Sequence, residues 1–406
     1  MTRLYENDIE MLAIEQLEAL GWTYIHGSEL LPDGSSPERQ SLEDVVLSGR
    51  LERAIAQLNP DIPARQREEA RNQVIRAVSP ELLTSNEDFH SLLTDGVKVE
   101  MHRDGNTRGE LVKLVDFDNP ANNDYLVVNQ LRVKGERQER RPDVVLFVNG
   151  LPLVVIELKN AVDENATVQS AYKQLQTYKE DIPALLAYNG LLVISDGLEA
   201  RSGSLSAGMS RFLRWRTTDG VNESSSLTPD METLIKGQLN PEVLLDLIRF
   251  FTVFEKEKKE DLSTGIVTIL TIKKIAAYHQ YYAVNKAVNR TTEAASDAGD
   301  RKGGVVWHTQ GSGKSLSMVF YSGKLIQRLN NPTIVIITDR NDLDDQLFGT
   351  FAGSRQLLRQ TPVQAEDREH LKQLLAVASG GVVFTTIQKF SPEEGNVYDT
   401  LTERKN

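Results

Sequence analysis

The stretch Arg141–Lys159, "RPDVVLFVNGLPLVVIELK", decides the fold of this chain. Two runs rich in Val, Leu, Ile and Phe flank Asn149-Gly150, the strongest short signal for antiparallel strands closed by a tight turn. Both runs are apolar on both faces, as expected of strands in a sheet covered on two sides. Charges interrupt them: Asp143 opens the first run, and Glu157 and Lys159 close the second. Side chains alternate along a strand, so Val154, Ile156 and Leu158 share one face while Val155, Glu157 and Lys159 share the other. Such charges cost several kcal/mol in an apolar strand unless they are paired or bind a metal. A structural salt bridge, or an edge strand with one wet face, explains a bare Glu-x-Lys. The hairpin adds more, because it folds Asp143 back towards Glu157.

Register tests that idea. A strict two-residue Asn-Gly loop sets Asp143 opposite Ile156 and leaves the carboxylates on different faces. A three-residue connection or a bulge aligns them, and Pro152 favours an irregular ladder. The expectation is a departure from the two-residue hairpin.

Two converging carboxylates suit Mg²⁺, a hard ion that takes oxygen ligands and keeps several waters. Such a metal polarises a phosphodiester and activates a water for attack, while Lys159 can orient that water or stabilise developing negative charge. One helix later, Gln174 and Tyr178 stand four residues apart, on one helical face. This set resembles the PD-(D/E)xK nucleases. Gln174 and Tyr178 match the additional helical motif of their RecB-like branch, which contacts DNA or supports the site. Glu10, on the first helix, is a candidate for the same site, with an exposed helical Glu as the bland alternative. Arg132, Lys134, Arg137, Arg140 and Arg141 form a basic cluster suited to steering a phosphate backbone, yet Glu136 and Glu139 among them fit a solvated loop equally well.

The whole chain has 406 residues, long enough for two or three domains. Hydrophobic residues at 40% and charged residues at 26% place it among globular proteins. The absence of cysteine excludes disulfides and thiolate metal sites. No apolar run is long enough to span a bilayer, and the acidic, polar "MTRLYENDIE" is not a secretory leader. A net charge of −12 argues against general polyanion binding, so any nucleic acid must be met by local basic patches or metal bridges. The spacing predicts helices over 6–20, 41–58 and 64–78, strands from about 95, a helix over "ATVQSAYKQLQTYKE", a strand at "GLLVISD" and loop around a short element over 201–230. "FEKEKKEDLSTG" (254–265) reads as a solvated helix end or linker.

Beyond that run, strand and helix alternate. "GGVVWHTQGSGKSLSMVF" (303–320) reads as strand, glycine-rich loop and helix. Gly311, Ser312 and Gly313 allow backbone amides to cradle phosphates, Lys314 reaches the β and γ phosphates of ATP, and Ser315 binds its Mg²⁺. His308 takes the place of the usual first glycine. "TIVIITDRNDLDDQL" and "VVFTTIQKF" resemble the DNA-contact segments of a superfamily 2 helicase lobe, with Thr338, Asp339, Arg340, Thr385 and Thr386 at strand ends. Gln280, in "AAYHQYYAV", is a candidate for reading adenine. The acidic segment needed for ATP hydrolysis is missing: "EDREH" (366–370) follows polar "TPVQA" and is a decoy.

The fold class is therefore α/β: a RecB-like nuclease domain over 1–245, built on a mixed sheet flanked by helices, a charged connection over 246–265, and an incomplete first RecA-like lobe over 266–406. Nuclease before motor resembles the R subunit of type I restriction–modification enzymes, a likeness carried also by "NPANNDYLVVNQLRV", "WHTQGSGKS" and "TDRNDLDDQL". That resemblance implies a cytoplasmic, ATP-driven endonuclease working on double-stranded DNA with methyltransferase (M) and specificity (S) subunits. It also implies catalysis by Asp143, Glu157 and Lys159, supported by Gln174 and Tyr178. The chain then reads as the N-terminal part of a longer motor, able to bind nucleotide but not to translocate alone. Two other readings stay open: a helicase–nuclease of another restriction or repair system, and a DNA-binding scaffold whose nuclease fold is structural only.

Overall fold

Six strands build the sheet around the 141–159 stretch: β1 (Thr23–His26), β2 (Tyr125–Asn129), β3 (Val144–Val148), β4 (Leu151–Leu158), β5 (Leu191–Ser195) and β6 (Ala200–Gly203). They lie side by side in that order. The β1–β2 and β4–β5 pairs are parallel, and the other three are antiparallel, giving a mixed sheet. This computed structural model describes residues 6–76, 81–103, 106–160, 167–260, 265, 267–339, 341–390 and 400–402.

Every residue of β2, β3 and β4 is buried, as strands covered on both faces must be. Helix α1 (Glu6–Glu18) packs against β1, β2 and β4, and α2 (Val168–Asp181) against β4 and β5. A capping box of Thr167 and Ser170 starts α2 by satisfying its first free backbone donors.

The turn between β3 and β4 keeps the two-residue form, with Val148 opposite Leu151 and positive φ at Asn149 (52°) and Gly150 (81°). That is the type I′ geometry favoured by Asn-Gly. A Cβ on Gly150 would lie 2.5 Å from the Leu47 carbonyl oxygen, so a larger residue is excluded there. The expected departure comes two residues later. Phe147 faces Pro152 but Leu146 faces Val154, leaving Leu153 as a bulge. The Leu153 carbonyl accepts from the Gly190 amide at 2.7 Å. Val144 consequently pairs with Ile156, and the next step along the ladder sets Asp143 beside Glu157.

Several readings of the elements need correction. The helix expected over 41–58 begins only at Ser48. Residues before it form a loop pinned by Arg39, whose buried guanidinium donates to the carbonyls of Leu42, Asp44 and Arg132. The helix Leu82–Asp95 was not anticipated, because its inner face mixes Phe89 and Leu93 with buried Ser85, Asn86 and His90 and so breaks the apolar period. The charged run after residue 253 is not a helix end: Thr252–Glu260 is a strand paired with Val267–Ile275.

The chain forms two compact units, Met1–Arg249 with Thr271–Tyr278, and Phe250–Leu270 with His279–Asn406. In the second, β7 (Ile334–Thr338), β8 (Val363–Gln364) and β9 (Val382–Thr386) form a parallel sheet in the order β7-β9-β8. Helices α3 (Tyr278–Ala295) and α4 (Lys314–Arg328) belong to the same lobe sequence. The strand expected at 303–309 does not form: this segment has no regular structure, and Val305 and Trp307 are 93% and 82% exposed. A strand needs a ladder partner, and none of the three sheet strands pairs with it. No helix among the described residues is long and apolar enough to cross a membrane.

Candidate active site

Asp143 and Glu157 are buried, at 9% and 2% exposure, at the end of the β3–β4 ladder. The Leu158 amide donates to Asp143 Oδ2 at 2.7 Å, which fixes one carboxylate against the strand that bears the other. Glu157 is held on both oxygens: Lys159 Nζ donates to Oε1 at 2.6 Å and the Tyr178 hydroxyl to Oε2 at 2.9 Å. Gln174, one turn before Tyr178 on α2, lies near enough to that hydroxyl to pull its pKa down. The motif residues in this half of the chain thus converge on one point: Asp143, Glu157, Lys159, Gln174 and Tyr178.

Burial first, and then the charge on Asp143, push the Glu157 carboxyl up to about 8, while Lys159 and Tyr178 pull it back. Burial and the Glu157 charge hold the Tyr178 hydroxyl far above its ordinary range, so it acts here as a donor. Two carboxylates forced together out of water create a demand for a cation, which Lys159 meets on one oxygen only. Among the described residues no three His, Cys, Asp or Glu side chains gather as a ready-made metal site. Two carboxylates, with waters and phosphate oxygens completing the shell, nonetheless fit the ligand preference of Mg²⁺.

Glu10 is not an exposed helical residue. It is buried, and accepts from Asn129 Nδ2 at 3.2 Å and Gln130 Nε2 at 2.6 Å. Gln130, whose φ is 52°, also donates its amide to the Asp143 carbonyl at 2.9 Å, so Glu10 borders the strand end that carries Asp143. The basic cluster is largely paired: Arg132 with Glu139, Lys134 with Glu43 and Arg140 with Asp181.

In the second unit, Gly311 and Gly313 both have φ of 81°, and Gly313 caps the N-terminus of α4. Lys314 Nζ donates to the carbonyls of His308 and Thr309, curling the loop around its own ammonium. Gln280 is buried and donates to the Gly313 carbonyl at 3.0 Å and to Ser317 Oγ, so it braces the loop directly. Ser312 donates to the Thr309 carbonyl, and Ser315 sits half-buried in the first turn of α4. Thr338 pairs with Thr386, and Ile337 with Thr385, at the ends of β7 and β9. Thr385 and Thr386 are buried, whereas Asp339 is exposed. Arg340 lies outside the described residues. "EDREH" is a helix start, with Asp367 capping the His370 amide at 2.7 Å.

The family described as Type I restriction enzyme R protein N terminus matches residues 3–211. The chain belongs to that family. A second family, the SWI2/SNF2 ATPase, matches residues 279–406 of this chain, the bulk of its second unit. It is similar to the Type I restriction enzyme HindI endonuclease subunit of Haemophilus influenzae, 48% identical over 99% of this chain and 38% of that relative. The putative type I restriction enzyme MjaIXP endonuclease subunit of Methanocaldococcus jannaschii is 35% identical over 98% of this chain and 38% of its own. A third, the SauMSSORF170P endonuclease subunit of Staphylococcus aureus, is 25% identical over 74% of this chain and 30% of its own. The chain thus spans well under half the length of these relatives.

Sequence reasoning passed over Asn129 and Gln130, which connect Glu10 to the strand end that carries Asp143. The signal for both was present: a polar Asn-Gln pair ends an otherwise apolar strand, much as Glu157 and Lys159 end β4.

Proposed function

We propose that this R protein cuts double-stranded DNA with Mg²⁺ at Asp143, Glu157 and Lys159, on a RecB-like PD-(D/E)xK fold in its first unit. Its second unit is the start of a RecA-like motor lobe that takes ATP at Gly311–Ser315. The working assembly joins M and S subunits in the cytoplasm and acts on DNA as a type I restriction enzyme. One observation supports the nuclease reading above the rest: the Leu153 bulge sets Asp143 and Glu157 side by side, where a plain hairpin would have separated them.

When bound, Mg²⁺ would supply Lewis-acid polarisation of the scissile phosphate and an activated water. Asp143 and Glu157 would hold that ion. Lys159, within reach of Glu157, would offer its ammonium to the negative charge that grows on the phosphate. Tyr178 fixes the second Glu157 oxygen, so the carboxylate cannot rotate away, and Gln174 borders that hydroxyl. At the motor, Lys314 would exchange the loop carbonyls for nucleotide phosphates, Ser315 would meet the Mg²⁺ of ATP, and Gln280 would keep the loop braced.

The raised Glu157 carboxyl gives this proposal a pH signature. Between 4.5 and about 8 the folded protein keeps a proton that the unfolded chain has lost, so metal-free stability falls as pH rises through that window. Metal must displace that proton. In the assembled full-length enzyme at sub-saturating Mg²⁺, cleavage is expected to climb by up to about tenfold per pH unit below that pKa and to level above it. Cleavage that persists with all divalent metal chelated would overturn the proposal.

A further inference from the structure

Lys273 is 1% exposed. It lies in Thr271–Tyr278, a piece of the first unit whose sequence neighbours on both sides belong to the second. Its ammonium donates to the Asn189 carbonyl at 2.6 Å and to Asn86 Oδ1 at 2.9 Å. Ser206 grips its backbone from both sides, accepting from the Lys273 amide and donating to the Lys273 carbonyl, each at 2.8 Å. Asn86 Nδ2 donates to the same Asn189 carbonyl at 2.8 Å.

The turn so held is the one that supports the bulge. Gly190 donates its amide to the Leu153 carbonyl at 2.7 Å, and Asn189 Nδ2 reaches the Leu191 carbonyl at 2.8 Å. Leu153 is the extra residue that shifts β4 by one place and so aligns Glu157 with Asp143. An apolar residue of similar volume would fill the Lys273 site without the desolvation cost of an ammonium. A hydrogen bond from this amine, whose pKa burial pulls down to about 7, supplies what the apolar residue cannot, a fixed direction and distance to the turn.

We propose that Lys273 is a positioning residue for the Asp143–Glu157 pair, acting through the Asn189–Gly190 turn and the Leu153 bulge. The register of the nuclease carboxylates then depends on a segment that lies, in sequence, between two stretches assigned to the second unit. This inference rests on the nuclease reading above.

Its test is Mn²⁺ calorimetry on the 406-residue chain with a short DNA duplex present, beside thermal unfolding of the same samples. Lys273→Met is expected to unfold cooperatively but to bind Mn²⁺ about tenfold more weakly, the usual scale for losing an outer-shell support. Lys273→Arg, which keeps the cation, is expected to recover part of that affinity. A purely structural lysine would change the unfolding temperature and leave the Mn²⁺ affinity of the folded protein unchanged; that result overturns the proposal alone. A wild-type chain that binds no Mn²⁺ overturns it together with the nuclease reading. Should Lys273→Met fail to fold, Ser206→Ala carries the test from a half-buried position: weakened binding supports the role, and unchanged binding overturns it.

Discussion

Glu157→Ala is expected to abolish DNA cleavage by the assembled full-length enzyme while sparing its ATPase. The side chain touches Lys159 and Tyr178 and stands beside Asp143, so its loss removes half of the oxygen set proposed to hold the metal. The fold should survive. A carboxyl pushed up by burial and by a neighbouring charge is a liability to the metal-free protein, and alanine relieves it. Lys159→Ala should act similarly on cleavage, by on the order of 10²–10³-fold, because it deletes the cation that meets developing charge. It leaves two buried carboxylates without that partner, so the proton on Glu157 is held more tightly. A cleavage assay on DNA, run beside ATP hydrolysis by the same preparation, separates the outcomes. ATPase lost along with cleavage would point to misfolding or to a different role for these residues. Cleavage retained in both variants would return Glu157 and Lys159 to a structural salt bridge and favour the scaffold reading.

The second large effect is expected at Lys314. Lys314→Ala should abolish ATP-dependent translocation, and with it the cleavage that depends on movement. Nothing else in the loop can replace that ammonium, which already bridges the His308 and Thr309 carbonyls at the N-terminus of α4. A phosphate arriving there would meet the amides of a helix start and this charge together. Stability should change little, because Lys314 is exposed. Undiminished translocation in the variant, followed by displacement of a DNA-bound reporter strand, would overturn the assignment of the phosphate loop.

Much of this was legible in the residues. Asn149-Gly150 between two apolar runs specified the hairpin, and the need to align Asp143 with Glu157 required an irregular ladder. The turn itself stayed regular, however, and the irregularity moved to Leu153, where proline at 152 offers no amide and Gly190 on the next strand connection can take the freed carbonyl. That partner is distant in sequence, so no local pattern announces it. The same holds for Arg39, Asn86 and Lys273, polar residues buried against backbone carbonyls from remote segments. Hydropathy reads such residues as surface, which is why the loop over 41–47 and the helix Leu82–Asp95 escaped it. Glu10 was a candidate from its helix alone, but its amide partners, on β2 and just beyond it, are too distant in sequence for a local pattern to show its burial. At the phosphate loop the reverse occurred: "GGVVWHT" has the composition of a strand, but strand formation needs a neighbour to pair with, and composition cannot supply one.

The central claim is that Asp143 and Glu157 form one metal site. Calorimetric titration of the chain with Mn²⁺, with and without a short DNA duplex, tests it most directly when wild type is run beside Asp143→Ala and Glu157→Ala. Wild type is expected to bind the metal and both variants to lose it, with each variant still unfolding cooperatively. Equal binding by all three proteins, or none by wild type even with the duplex present, would contradict it.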